Sequence, residues 1–190
     1  MMNIRVAVPE DASDLVRIYA PYVTNTAVTF EYKIPGVEEF AERIRETLKR
    51  YPYLVVEEAG SVFGYAYASP FKARAAYAWS VETSIYLYPD ARGRGIGTAL
   101  HRELEKLLRR QNVCNLCACI TYPNHESIDF HKKMGYRTVA HFNSAGFKLE
   151  AWHDIVWMEK ELCPHSIPPT PFLPFPELDK DSGESPRRCI

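Results

Sequence analysis

Residues 92–97 read Arg-Gly-Arg-Gly-Ile-Gly and lie between a strand-like run at 83–88 and a helix-like run at 98–110. Successive glycines let the backbone turn so that its N–H groups converge, and a helix N-terminus adds partial positive charge. The pattern predicts a binding site for phosphate or pyrophosphate, and therefore a phosphorylated cofactor. The residues expected to form it are Arg92, Gly93, Arg94, Gly95, Ile96, Gly97 and Thr98.

Two other glycine-rich loops fit this run poorly. A P-loop ends in lysine followed by serine or threonine, whereas Gly97 is followed by Thr98 and Ala99. A dinucleotide fingerprint requires the spacing G-x-G-x-x-G and an acidic residue about 20 positions later. Here the glycines alternate with single residues, and the later segment 114–117 is Cys-Asn-Leu-Cys. An ordinary glycine turn before a surface helix is the alternative to an anion site.

Composition excludes several classes of protein. A chain of 190 residues with 46% hydrophobic content suits one domain with a substantial core. The formal net charge of -1 gives no general attraction for nucleic acid or anionic lipid. The N-terminus lacks the basic and apolar regions of a signal peptide, and no apolar run approaches membrane-spanning length. We therefore expect a soluble, cytoplasmic protein without nucleic-acid or membrane partners.

The five cysteines are an odd number and follow no export signal, so free thiols are expected. Cys114 and Cys117 have the spacing of a zinc or redox pair, but the chain has no second pair. Cys117 and Cys119 would share one face of a strand. Buried small hydrophobic residues are therefore the preferred interpretation, and no metal site is predicted.

Hydrophobic periodicity predicts an alternation of strands and helices. One helix has a stripe of leucines expected to cover the sheet, and another has three residues at helical spacing on one face; these sets are Leu100, Leu104, Leu107 and Leu108, and Leu15, Ile18 and Tyr22. Proline-rich sequence from residue 163 predicts an extended or disordered tail at 163–190, after a domain at 1–162. Asn124 is expected to cap the helix at 125–134, which ends at Gly135. The predicted strands are 3–8, 54–58, 62–69, 76–88, 114–120, 136–142 and 154–160, and the other predicted helices are 11–23, one from Gly36 to before Pro52, and 98–110.

The sequence Arg-Gly-x-Gly-x-Gly followed by an amphipathic helix resembles the pyrophosphate loop of the GCN5-related N-acetyltransferases (GNAT), which bind acetyl-CoA there. The order of strands and helices also matches that family. The resemblance implies a single-domain α/β fold with a central mixed, mostly antiparallel twisted sheet flanked by about four helices. Periodicity alone does not fix the order of the strands.

Three further segments closely resemble the phosphinothricin N-acetyltransferases within that family. They are residues 72–86, 145–148 and 152–155, and the likeness extends from about Ile4 to Leu162. Members acetylate the α-amino group of phosphinothricin, methionine sulfoximine or methionine sulfone with acetyl-CoA, and they confer herbicide resistance through the shape of the pocket. The resemblance also implies a homodimer with pockets near its interface. Residues 152–154 are expected to be structural or dimer-forming at least as much as catalytic.

An ammonium group must lose a proton before it attacks a thioester, so a base is needed near the acetyl carbonyl. The resemblance assigns this role to Glu82, on the strand before the glycine loop; the alternative is an exposed glutamate without a role. Many acetyltransferases place a tyrosine acid where this chain has His131. A histidine there could be the acid, could share the base role, or could only line the pocket.

In the family, the strand after the glutamate hydrogen-bonds the pantetheine arm, which here implies Ile85, Tyr86 and Leu87. A backbone N–H of this region is also the expected donor to the oxyanion. Asn124 is expected to contact the cofactor. A direct ternary-complex transfer needs no nucleophilic side chain, and Cys117 or Cys119 as an acyl carrier is the less favoured route.

The acceptor's carboxylate or phosphinate requires a cation. Arg74 offers bidentate recognition, and Lys72 is a weaker point charge nearby. Arg74 could instead be a solvated arginine at a loop edge. Phe30 and Glu31 match a loop that lines the family's pocket. Tyr77 and Trp79 could be walls of the pocket or part of the core, and the sequence does not separate these two interpretations.

These observations predict an acetyl-CoA-dependent N-acetyltransferase that acts on the α-amino group of a small amino acid analogue. An acetyltransferase for another small amine or a protein N-terminus shares every cofactor motif. A non-catalytic acetyl-CoA-binding sensor is an alternative of a different class, and Glu82 argues against it.

Overall fold

The computed structural model describes residues 2–178. Its core is a sheet of seven strands in the order β1-β2-β3-β4-β5-β7-β6, in which β4 and β5 are parallel and the other neighbours are antiparallel. The strands are β1 (Asn3–Val6), β2 (Tyr53–Glu58), β3 (Ser61–Pro70), β4 (Ser80–Leu87), β5 (Asn115–Tyr122), β6 (Arg137–Lys148) and β7 (Ala151–Glu161).

Four α-helices accompany the sheet: α1 (Ala12–Asn25), α2 (Val37–Leu48), α3 (Ile96–Arg110) and α4 (His125–Lys133). The predicted mixed, mostly antiparallel sheet with about four helices is confirmed. Most predicted helix and strand positions agree with the structure to within a few residues. One exception is the strand predicted at 136–142, because β6 continues to Lys148, and another is described below.

Helices pack on both faces of the sheet. Leu100, Leu104 and Leu108 of α3 are fully buried against one face, as the stripe of leucines predicted, although Leu107 is only partly buried. On the other face, α1 and α2 pack over β2, β3 and the end of β4. The apolar stripes of these helices supply most of the core, because burying them removes large apolar areas from water.

The central strands diverge, and this divergence creates the opening in which the site lies. Strands β4 and β5 pair only at Ser80↔Asn115, Val81↔Leu116 and Glu82↔Cys117. Beyond these pairs β4 continues to Leu87 and β5 to Tyr122 without pairing to each other. We call this divergence the fork. The edge of β4 that faces it has backbone groups without a strand partner, which are available to a ligand.

The predicted strand at 76–88 is wrong in its first part. Residues Ala75–Tyr77 form a short 3₁₀ helix, and β4 begins at Ser80. Pairing of β3 with β4 starts at Pro70↔Val81, and Phe71 N–H bonds the Ser80 carbonyl. Residues 71–79 must therefore reverse the chain between two antiparallel strands, which β propensity alone does not reveal. We call them the acceptor loop.

The prediction of buried cysteines is only partly correct. Cys114 and Cys163 are buried, but Cys117 is half-buried and Cys119 is exposed. Both side chains lie on the same face of the sheet as Glu82, at β5, whereas α1 and α2 pack on that face mainly over β2, β3 and β4. Strand periodicity assigns residues to a face, whereas the helices decide whether that face is buried.

Residues 163–178 of the predicted tail pack on the domain, and Phe175–Glu177 within them form a short 3₁₀ helix. Trp79 donates its Nε1–H to the Thr170 carbonyl at 2.6 Å, and Gln111 Nε2 donates to the Leu173 carbonyl at 2.8 Å. Phe172 contacts Tyr51, and Leu178 is buried. We call this segment the strap. The rest of the predicted tail, 179–190, lies outside the described residues.

Candidate active site

The glycine loop has the geometry of an anion site. Gly93 and Gly95 have φ values of +73° and +77°, which L side chains rarely adopt. Gly95 caps α3, so the N–H groups of the first helical turn have no helical acceptor and point out of the helix end. Gly97 serves another purpose, because a Cβ there would lie 3.2 Å from Leu87 Cδ1. It allows α3 to pack tightly on β4.

The two arginines of the loop are held in place by side-chain contacts. Arg92 Nη2 lies 3.1 Å from the Tyr22 hydroxyl, which itself donates to the Leu87 carbonyl at 2.6 Å. Arg94 Nη2 lies 3.0 Å from Glu58 Oε2 at the rim. Tyr22 thus connects α1, the end of β4 and the loop. Sequence reasoning missed this role, since its helical spacing indicated only a core position.

The fork contains a cleft of about 60 Å³. Ile85 and Tyr86 line it from β4, and Asn124 and His131 line it from α4. Asn124 caps α4, as predicted, by accepting the Ser127 N–H at 3.2 Å. The structure thus brings four of the predicted cofactor and catalytic residues to one cleft. Ser84 and Thr121 also line the cleft, and no motif or spacing in the sequence pointed to either residue.

Glu82 lies at the vertex of the fork, opposite Ser69 on β3 and Cys117 on β5. Burial raises the pKa of its carboxyl, and the positive charge of Lys72 opposes that shift. Within residues 2–178, no side chain donates a hydrogen bond to this carboxylate. A half-buried carboxylate with a raised pKa and free lone pairs is suited to accept a proton from a ligand.

Cys117 and Cys119 neighbour Glu82, but neither is a good nucleophile. Burial first, and then negative charge, raises the pKa of each thiol to about 11; the charge comes from Glu159 and Glu82 at Cys117 and from Glu82 at Cys119. The reactive form of cysteine is the thiolate. At neutral pH both groups therefore remain protonated.

His131 is buried and uncharged at neutral pH. Burial lowers the pKa of its imidazole to about 4. Nδ1 lies 2.8 Å from the Ser127 carbonyl and so carries the ring proton, which leaves Nε2 as a hydrogen-bond acceptor. Such a ring has no proton on Nε2 to donate to a leaving thiolate. The structure therefore disfavours the acid role among the three considered from the sequence.

The acceptor loop carries three of the predicted substrate residues, and one of them interacts with Glu82. The charge of Lys72 acts on the Glu82 carboxylate, and its ammonium group lies 5.1 Å from the centre of the Phe71 ring. Tyr77 packs edge-on against the same ring at 6.0 Å. Arg74 is exposed, with no hydrogen bond or ion pair from its side chain within the described chain. Lys72 is thus the cation that the structure connects to Glu82.

Phe30 and Glu31 have different surroundings. A Cβ at Gly146 would lie 2.4 Å from the Phe30 ring, so the glycine lets Phe30 reach β6. Glu31 forms an ion pair with Arg43, whose Nη1 lies 2.7 Å from Glu31 Oε1. Phe30 therefore packs against β6, where its ring can form an apolar wall of a pocket. The carboxylate of Glu31, in contrast, is already paired with Arg43.

The described chain lacks the features of a metal site and of a membrane-spanning helix. Residues 2–178 contain no group of three or more His, Cys, Asp or Glu side chains that could hold a metal ion. Among the same residues, no helix has both the length and the apolar character required to cross a bilayer.

Comparison with known proteins agrees with this geometry. The family model "Acetyltransferase (GNAT) domain" matches residues 4–157. The chain is 31% identical to a phosphinothricin N-acetyltransferase of Streptomyces viridochromogenes, over 93% of this chain and 96% of that protein. It is 30% identical to an L-methionine sulfoximine/L-methionine sulfone acetyltransferase of Salmonella typhimurium, over 88% of this chain and 98% of that protein.

Among solved structures, a GNAT superfamily phosphinothricin acetyltransferase from Sinorhizobium meliloti in complex with AcCoA superposes with a TM-score of 0.83 at 36% identity. The match covers 90% of this chain and 92% of that one. The chain therefore belongs to the GNAT acetyltransferases and is an N-acetyltransferase related to those for phosphinothricin and methionine sulfoximine.

Proposed function

We propose that this protein uses acetyl-CoA to acetylate the α-amino group of a small amino acid analogue such as methionine sulfone, methionine sulfoximine or phosphinothricin. The observation that carries the proposal is the fork. The glycine loop, which has the geometry of an anion site, lies at the C-terminal end of β4. The carboxylate of Glu82, whose pKa is raised, lies at the vertex of the fork. The relatives acting on these compounds support the choice of acceptor.

The chain has groups suited to each part of acetyl-CoA. The N–H groups of the first turn of α3, with Arg92 and Arg94, suit its pyrophosphate. The unpaired edge of β4 at Ile85–Leu87 suits the amides of its pantetheine arm, and Asn124 lines the same cleft. When bound, this co-substrate supplies an activated acetyl group as a thioester.

Glu82 is the proposed base. It takes the proton of the acceptor's ammonium group, directly or through one water, and its raised pKa brings it closer to that of the group it deprotonates. His131 is proposed to assist only as an acceptor through Nε2 or to line the cleft, because its ring is neutral. A backbone N–H of the β4 edge donates to the carbonyl oxygen as it gains negative charge.

Lys72 and Arg74 are proposed to bind the acceptor's carboxylate, with Phe30 and Tyr77 as walls of the pocket. Lys72 approaches Glu82 most directly, and Arg74 has free donors. Direct transfer is preferred to a thiol carrier because Cys117 and Cys119 are protonated at neutral pH. A burst of acyl-enzyme in rapid-quench experiments would instead support the thiol route.

A homodimer is proposed from the apolar surface of the β6–β7 hairpin. Phe142, Phe147, Leu149 and Trp152 are exposed there, with Trp152 65% accessible, and contiguous apolar surface of this kind is typical of an interface. Changing Trp152 to Glu should convert a dimer to a monomer in sedimentation experiments. The matched variant Val37→Glu alters an exposed apolar residue of α2, outside the hairpin, and should leave the dimer intact. A wild-type monomer would contradict the proposal.

Release of the CoA thiol in the presence of each candidate acceptor tests the proposed activity. Methionine sulfone, methionine sulfoximine and phosphinothricin should be substrates, whereas polyamines and peptide N-termini should give much lower kcat/KM. Preference for a peptide amine would support the alternative acetyltransferase. Binding of acetyl-CoA without thiol release for any amine would support the sensor.

A further inference from the structure

A second cavity, of about 300 Å³, lies between α1, α2 and the sheet. Its walls are mostly aromatic rings, contributed by Tyr19, Phe40, Tyr53, Tyr65 and Tyr67. It shares no lining residue with the cleft of the fork, so the two are separate spaces. We call it the tyrosine cavity.

Two phenol groups of this cavity are buried without a hydrogen-bond partner. Tyr53 and Tyr65 are 2% and 1% exposed, and neither hydroxyl bonds another group within the described chain. Within residues 2–178, the side-chain N and O atoms that are inaccessible to solvent and lack a hydrogen-bond partner are His101 Nδ1 and Gln111 Oε1. Neither atom belongs to Tyr53 or Tyr65. The two phenol oxygens therefore still contact open space, and the cavity provides it. A buried hydroxyl without a partner is costly, so the cavity favours an occupant with polar atoms.

The rings that line the cavity are arranged in stacked and edge-on pairs, which suits the binding of an aromatic ligand. Tyr53 and Tyr67 stack with ring centres 4.8 Å apart, and Phe40 meets Tyr65 edge-on at 6.0 Å. Flat and edge-on ring faces of this kind interact favourably with a further aromatic ring. A cavity of about 150 Å³ is enough for benzene. The tyrosine cavity can hold a ring with one or two polar atoms attached.

Charges at the mouth of the cavity are already paired. Arg43 Nη1 lies 2.7 Å from Glu31, and its Nη2 bonds Glu39. Glu46 forms an ion pair with Lys49. A charged ligand would have to break one of these pairs or enter without a counter-ion, which is unfavourable in a buried space. The tyrosine cavity should therefore bind uncharged molecules more tightly than charged ones.

We propose that the tyrosine cavity is a binding site for a small uncharged aromatic molecule that carries a hydrogen-bonding oxygen or nitrogen, with Tyr53 and Tyr65 as its polar contacts. Tyr67 connects this site to the fork, since it lies opposite Ser84 on β4, two residues from Glu82. The site does not depend on the proposed acetyl transfer, because binding there is measured without turnover.

Calorimetric and saturation-transfer NMR titrations of the full chain test the proposal with benzyl alcohol, toluene and benzoate. Benzyl alcohol should bind saturably, with and without coenzyme A, and benzoate should bind at least about tenfold more weakly. Tyr65→Phe removes a hydroxyl and keeps the ring. It should weaken benzyl alcohol roughly two- to twelve-fold and leave toluene unchanged, as expected for one lost hydrogen bond.

Two controls locate the bound molecule. Thr47→Trp places a large side chain on the cavity wall and should abolish binding of all three probes, whereas Tyr32→Phe removes a hydroxyl elsewhere and should change nothing. Circular dichroism of each variant verifies that it is folded. Absence of saturable binding by the wild-type chain would show a cavity filled only by water and overturn the proposal. Equal binding by wild type and Tyr65→Phe would also overturn it, as would displacement of benzyl alcohol by coenzyme A.

Discussion

Glu82 combines two features that a surface glutamate lacks. It lies at the vertex where β4 and β5 separate, and burial raises its pKa. The first feature places it next in sequence to Thr83 and Ser84, which line the cleft of the fork, and the second makes it a stronger base. An exposed glutamate, the alternative considered, would show no such rise in pKa.

Replacing Glu82 with Gln should lower kcat by about 10²- to 10⁴-fold, as is typical for loss of a general base. The apparent affinity for acetyl-CoA should change little, because Glu82 is not among the proposed cofactor contacts. The matched variant Glu159→Gln alters a carboxylate on the neighbouring β7 and should keep near-normal turnover. Steady-state kinetics of both variants measure this, and near-full activity of Glu82→Gln at all pH values would exclude Glu82 as the base.

The acid limb of the pH profile should follow the raised pKa of Glu82. Activity requires the carboxylate, so kcat/KM should fall as pH drops through a value above that of an ordinary glutamate. Lys72 favours the charged carboxylate and lowers this pKa, so Lys72→Met should move the limb to higher pH. Lys132→Met, on exposed α4 surface, should leave it in place. A limb that moves to lower pH in Lys72→Met would contradict this assignment.

At the scale of elements, the start of α3 is the feature on which cofactor binding depends. Gly95 caps this helix with a left-handed backbone, whereas Gly36 caps α2 with an extended one. The two glycines therefore form a natural pair for comparison, since a side chain is strained only at Gly95.

Gly95→Ala should destabilise the loop by about 1–2 kcal/mol, the cost of a left-handed L residue, and should weaken coenzyme A binding. Gly36→Ala should leave that affinity unchanged. Calorimetric titration with coenzyme A and denaturant unfolding measure the two effects. Unchanged affinity in Gly95→Ala would mean that the loop geometry is not required for the anion.

At the scale of the whole molecule, the strap packs along the domain through contacts with side chains that are distant in the sequence. It supplies acceptors for Trp79 and Gln111 and covers Tyr51 with Phe172. Arg50 also approaches the Phe172 ring at 4.6 Å. Without the strap, these groups would be exposed to water.

Truncation after Pro164 should therefore lower the free energy of unfolding by roughly 2–4 kcal/mol, from lost apolar burial and hydrogen bonds. Truncation after Leu178 keeps every contact described above and should have a much smaller effect. Thermal and denaturant unfolding of the two shortened chains measure this. Equal stability of both would show that the strap contributes nothing to the fold.

The amino-acid sequence by itself determined the order of the elements, the leucine stripe of α3, the glycine loop and the cap at Asn124. These depend on local periodicity and on backbone preferences of single residues, which sequence carries directly. Resemblance supplied the strand order and pointed to Glu82.

Only the tertiary structure decided which charges and faces meet. The neutral state of His131, the pairing of Glu31 with Arg43 and the exposure of Cys119 each depend on elements distant in the sequence. So do the tyrosine cavity and the turn at 71–79, which follows from the pairing of β3 with β4. Burial and electrostatic effects depend on the three-dimensional surroundings of a group, and a linear pattern does not contain those surroundings.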